Sequence, residues 1–69
     1  MAKATIYFKG GNIINIDKLK FIRQAVDGKT FTVDQWEESG LDELRYIFVG
    51  ENESVFFNGL DVACVRIEK

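Results

Sequence analysis

The chain has 69 residues, a formal charge of -2 and a pI near 5.0, a length that holds one small hydrophobic core and reads as a single domain, 1–69. It contains no histidine, which removes the usual general base near neutral pH, the commonest metal ligand and every serine–histidine or cysteine–histidine nucleophile. The single cysteine, Cys64, cannot form a bridge within the chain, no apolar run approaches the roughly 20 residues that span a bilayer, and the N-terminal residues lack the apolar stretch of a signal peptide. The expectation is a cytoplasmic, non-enzymatic protein with no cofactor, no metal and no membrane partner.

Ile and Val together number 13 against four Leu, and nine residues are aromatic. These side chains pack well on a pleated surface, so the composition predicts a mainly β fold, a small antiparallel β-barrel or sandwich of six or seven strands with at most one short helix. Residues 5–9 and 13–17 flank Gly10, Gly11 and Asn12 and read as a hairpin. A three-residue loop there sets Ile6 opposite Ile16 and Phe8 opposite Ile14, collecting four apolar side chains on one face. The next strand, about 19–26, meets 29–33 across Asp27-Gly28, pairing Gln24 with Phe31 and Ile22 with Val33. Leu19 and Phe21 then point away from Ile22, and this change of apolar face predicts a bend or bulge.

Alternation stops after Thr32. Thr32 followed by Gln35 matches a capping box, and Gly40 can close a short helix at 34–39; the rival reading continues the strand through Trp36. The last third reads as a three-stranded meander over 44–49, 55–57 and 60–67. Phe48 faces Val55 and Tyr46 faces Phe57, and an Asn58-Gly59 hairpin sets Phe57 against Leu60. Tyr46, Phe48, Val55, Phe57, Leu60, Val62 and Cys64 then share one face, with Ile47, Val49, Phe56, Ala63, Val65 and Ile67 on the other. A meander apolar on both sides needs a cover, either the first half of the chain or another subunit.

Charge is divided along the chain. Residues 1–30 carry six bases against two acids, for +4, and residues 31–69 carry three bases against nine acids, for -6. Such polarity favours association between copies, so a homo-oligomer is expected. The acidic stretch holding Trp36, Glu37, Glu38, Asp42 and Glu43 is the part whose charge density a sheet does not require, and tryptophan is enriched at binding hot spots. These five residues are the expected partner-binding site. Tyr7, Lys9, Lys18, Lys20 and Arg23 form the alternative, a cationic and aromatic set for a nucleotide or nucleic acid. An enzyme built on carboxylates such as Asp17 and Asp61 would need them to converge in one pocket. The DQWEESGLDE stretch does not have EF-hand spacing, and Cys64, set among Ala63 and Val65, reads as packing.

In size, in its lack of proline and histidine, and in the pattern IYFKGGNIINID followed by VFFNGLDVACVRI, the chain resembles the small acidic β-rich accessory proteins of Gram-positive phages and prophages. The resemblance implies a non-catalytic protein that binds and inhibits or modulates a host protein such as a nuclease, a polymerase or a defence component. The alternative expectation is a small β-barrel that sequesters a nucleotide or nucleic acid.

Overall fold

The computed structural model describes residues 2–26, 28–39 and 45–69, with side chains at all of these except 37–39. The elements are β1 (Ala2–Phe8), β2 (Ile13–Gln24), β3 (Thr30–Phe31), α1 (Val33–Ser39), β4 (Arg45–Gly50), β5 (Ser54–Asn58), a 3-10 turn (Gly59–Asp61) and β6 (Val62–Glu68). All six strands belong to one antiparallel sheet in the order β5-β4-β2-β1-β6, with β3 added to β2. The mainly β expectation with one short helix holds; the sheet curls like a barrel without closing.

The segments expected at 13–17 and 19–26 are one strand that serves both halves of the sheet. The first part of β2 pairs with β1, and its last part pairs with β4 on one edge and β3 on the other. Two register slips make this possible. Ala4 opposes Ile16 but Ala2 opposes Leu19, so β2 carries an extra residue around Asp17-Lys18; Leu19 opposes Gly50 but Phe21 opposes Val49, so a second extra residue lies at Lys20. Each slip reverses the alternation of faces. Ile16, Leu19 and Ile22 are therefore all buried. The expected bulge is present, but it turns Leu19 inward rather than away from Ile22.

Gly50 makes the first bulge possible. A Cβ at this position would lie 2.9 Å from Ile16 Cγ2 and 3.1 Å from both the Glu53 and Lys18 carbonyl oxygens. The neighbouring Glu51 amide donates to Lys18 O at 2.9 Å, tying β4 to the bulged backbone.

Both N-terminal hairpins differ from expectation by two residues in register and keep their faces. Ile6 opposes Ile14, because Phe8 N–H donates to Asn12 O and the loop is Lys9-Gly10-Gly11. Ile22 opposes Phe31, because Gln24 N–H donates to Lys29 O across a longer turn in which Gly28 takes φ +72°. Asp27 lies outside the described residues.

The β4–β5 register is the expected one, with Tyr46 opposite Phe57 and Phe48 opposite Val55. The meander nevertheless stops there. Asn58 caps a 3-10 turn, its side chain accepting from Leu60 N–H at 3.0 Å, instead of closing a hairpin. The chain crosses to the other side of the sheet, where β6 pairs with β1. Tyr7 opposes Cys64 and Phe8 opposes Val62, so a further slip at Ala63 turns Val62 inward and leaves Cys64 exposed, against the expectation that they share a face. Val65 and Ile67, expected on the second face, pack against the core.

Helix α1 starts one residue earlier than expected and carries the capping box: Gln35 N–H donates to Thr32 Oγ1 at 3.2 Å, and Thr32 N–H donates to Gln35 Oε1 at 2.9 Å. The strand alternative through Trp36 is excluded. The expected C-terminal stop at Gly40 and the start of the next strand at Leu44 fall outside the described residues.

Two substitutions test this account by urea unfolding. Gly50→Ala should cost about 1–3 kcal/mol, since two of the three clashing atoms are backbone and cannot move aside. Thr32→Ala should cost about 1 kcal/mol through loss of the cap.

Candidate interaction surface

The aromatic core determines which residues remain for function. Trp36 stands edge-on to Phe48 at 5.4 Å and to Tyr46 at 6.2 Å between ring centroids; Phe48 meets Phe57 at 5.0 Å, and Phe57 meets Phe8 at 6.1 Å. This chain of edge-to-face contacts runs from α1 through β4 and β5 to β1, and such pairs contribute about 0.5–1.5 kcal/mol each beyond burial. It links the β5 end of the sheet to β1 across the curl.

Trp36, expected as the anchor of the partner site, is therefore a core residue with 6% of its surface exposed. Its indole Nε1 has no hydrogen-bond partner among the described residues. Its edge-on contacts with Tyr46 and Phe48 are of the same order as the cost of that unsatisfied donor. Glu37 and Glu38 follow on α1, with side chains outside the described set, and Asp42 and Glu43 lie outside the described residues. Asp34, at the start of α1, is exposed and paired with Lys69.

The alternative set does not assemble. Tyr7 sits opposite Ile13 at the start of β2, and Lys9 follows in the adjoining turn, its amide donating to Asp61 O at 2.8 Å. Arg23 lies ten residues beyond Ile13, opposite Thr30 and Ile47. Lys18 belongs to a third place, a cleft of about 270 Å³ at the bulge lined by Ile16, Asp17, Lys18, Glu51, Asn52 and Glu53. There its ammonium is 3.7 Å from Glu51 Oε2, with both side chains largely in solvent. Asp17 lines this cleft, whereas Asp61 lies beside Lys9, so the two carboxylates do not converge. Among the described residues no three potential metal ligands come together.

The arrangement that does assemble is the outer face of β2, β4 and β5. Across the strands, Phe21 opposes Val49, and Arg23, Ile47 and Phe56 form one continuous row. Phe56 is 60% exposed; Phe21, Ile47 and Val49 are half-buried. The Arg23 guanidinium lies 5.8 Å from the Phe21 ring centroid, within cation–π reach. Arg45 is exposed at the end of β4. Neither β4, β5 nor β2 from residue 19 onward contains an acidic residue, so in a chain of net charge -2 this face is apolar and cationic. The expected apolar second face of the meander pointed to Ile47, Val49 and Phe56. Phe21 and Arg45 were missed, and Arg23 was expected only in the alternative cationic set: Phe21 and Arg23 share a face by ordinary alternation, but the long-range pairing of β2 with β4 that sets them beside Ile47 and Val49 was not readable locally.

No family model, characterised protein or solved structure matches this chain.

The single tryptophan gives a direct check of the core assignment. Trp36 emission should be blue-shifted and poorly quenched by acrylamide in the folded state. Trp36→Ala should cost about 3–5 kcal/mol in urea unfolding.

Proposed function

We propose that this chain is a non-catalytic, self-associating binding protein that engages a protein partner through the outer face of β2, β4 and β5. The observation that carries the reading is the exposed Phe56 in line with Ile47 and Arg23 on a face without carboxylates. Aromatic and arginine side chains dominate binding hot spots, and a row of them on a rigid sheet is already ordered before binding. The matching partner surface is an apolar centre rimmed by carboxylates. This moves the binding site from the acidic 34–43 segment, whose anchor Trp36 is in the core, to the opposite charge on the molecule. In keeping with the resemblance to phage accessory proteins, the partner is a host protein in the cytoplasm whose activity is inhibited or modulated.

The stacking of Arg23 on Phe21 beside Phe56 favours one rival, a single-stranded nucleic acid whose bases stack on the same rings. The pI near 5.0 disfavours it. The test is affinity capture from a Gram-positive cell lysate followed by titration of the captured protein. The double substitution Phe21→Ser and Arg23→Glu should weaken the titrated Kd by roughly 30-fold or more, the hot-spot range, while Cys64→Ser leaves it unchanged. Unchanged affinity in the double variant refutes the assignment. Binding of a labelled oligonucleotide that falls steeply with salt would replace the protein partner with a nucleic acid.

A further inference from the structure

We infer that a second copy of this chain adds to the free edge of β5 in antiparallel register, Phe56 opposite Phe56 of the other copy. The inference gives the self-association proposed above its site, and so rests on that part of the reading.

The pairing direction follows from one hydrogen bond. Gly50 N–H donates to Glu53 O at 2.7 Å across the β4–β5 turn, so these two residues form a hydrogen-bonded pair. Alternation along an antiparallel ladder then makes Val55 and Phe57 the residues that bond to Phe48 and Tyr46. The N–H and C=O groups of Ser54, Phe56 and Asn58 face the other way, toward an edge that pairs with no strand among the described residues.

Edges of this kind are normally protected by charge, proline or a bulge. β6, the opposite edge of the sheet, has such protection: Arg66 and Glu68 pair across 3.3 Å on its surface, and its ladder slips at Ala63. β5 has none. It reads Ser-Val-Phe-Phe-Asn, its register with β4 is unbroken, and it carries no charge.

A two-fold axis through Phe56 is the register that uses the whole strand. Phe56 meets its copy, Ser54 meets Asn58 and Asn58 meets Ser54, so all three outward-facing residues find partners and about six main-chain hydrogen bonds form. Val55 meets Phe57 on the core side, no like charges within the strands are brought together, and the 60% exposed Phe56 rings stack against each other on the outer face. Shifting the axis by one residue leaves an outward-facing residue unpaired. The product is a sheet continuous across two copies, with Phe21, Arg23, Ile47 and Val49 repeated on one outer surface. Main-chain bonds give such strand addition its affinity, and side chains at alternate positions give it selectivity.

The test is disulfide trapping in a Cys64→Ser background, together with sedimentation equilibrium. Two copies of Phe56→Cys should crosslink under mild oxidation, because a hydrogen-bonded antiparallel pair sets Cα atoms about 5.5 Å apart, within disulfide range. Ile47→Cys should not crosslink, since the two β4 strands are then three strand spacings apart, about 14 Å. Phe56→Lys, which places two ammonium groups face to face, should shift the dimer to monomer while leaving the urea midpoint of the monomer unchanged. A dimer that crosslinks through position 47 and not 56 overturns the β5 edge in favour of face-to-face packing. A parent protein that stays monomeric at millimolar concentration overturns self-association altogether. Capture of the host protein by the outer face is read independently, with the Phe21→Ser and Arg23→Glu variant, so failure of one reading does not mask the other.

Discussion

The molecule depends on β2 belonging to two walls at once. In an unbroken strand Ile16 and Ile22, six residues apart, would share one face, but Leu19 between them would point to the other. The two extra residues around Asp17-Lys18 and at Lys20 reverse the alternation twice, so Ile16, Leu19 and Ile22 all reach the same interior. The backbone displaced by the first bulge occupies space that a side chain on β4 would otherwise fill, which is why Gly50 stands there. The curl that follows lets one aromatic chain, from Trp36 through Phe48 and Phe57 to Phe8, close the interior.

Much of this was legible in the sequence, and the exceptions share a cause. The capping box at Thr32 and Gln35 and the β4–β5 register are local, set by residues a few positions apart, and both formed as read. The two N-terminal hairpins kept their faces but moved by two residues. Alternation constrains register only to multiples of two, and the glycine-rich turns permit more than one loop length. The Asn58-Gly59 turn was read as a hairpin because that dipeptide favours one. Its competitor was distant: an unpaired edge on β1 offers β6 more partners than β5 does, and the asparagine side chain caps a 3-10 turn just as readily.

The proposed surface was half legible for the same reason. Apolar residues on both sides of β4 and β5 announced that one side would remain uncovered. Which residues of β2 would join it depended on the long-range pairing of β2 with β4. Trp36 illustrates the converse: acidic residues crowd around it in the sequence, yet its own side chain is buried in the core. Charge density along the chain said nothing about the direction of the largest residue of α1.

The pairing of β1 with β6 has a kinetic consequence. Ala4 opposes Ile67 and Lys3 opposes Glu68, so the earliest strand of the sheet finds one of its two neighbours only after nearly all the intervening chain has been traversed. Closing so long a loop must precede any gain from the contacts it makes. The hairpins at the β1–β2 and β4–β5 turns can form early and alone, whereas the curled sheet becomes a closed interior only when the 3-10 turn delivers β6. Until β6 arrives, that edge of β1 lacks its partner and Val62, Val65 and Ile67 are missing from the core they complete, so the rate at which the last strand arrives sets how long the core stays incomplete.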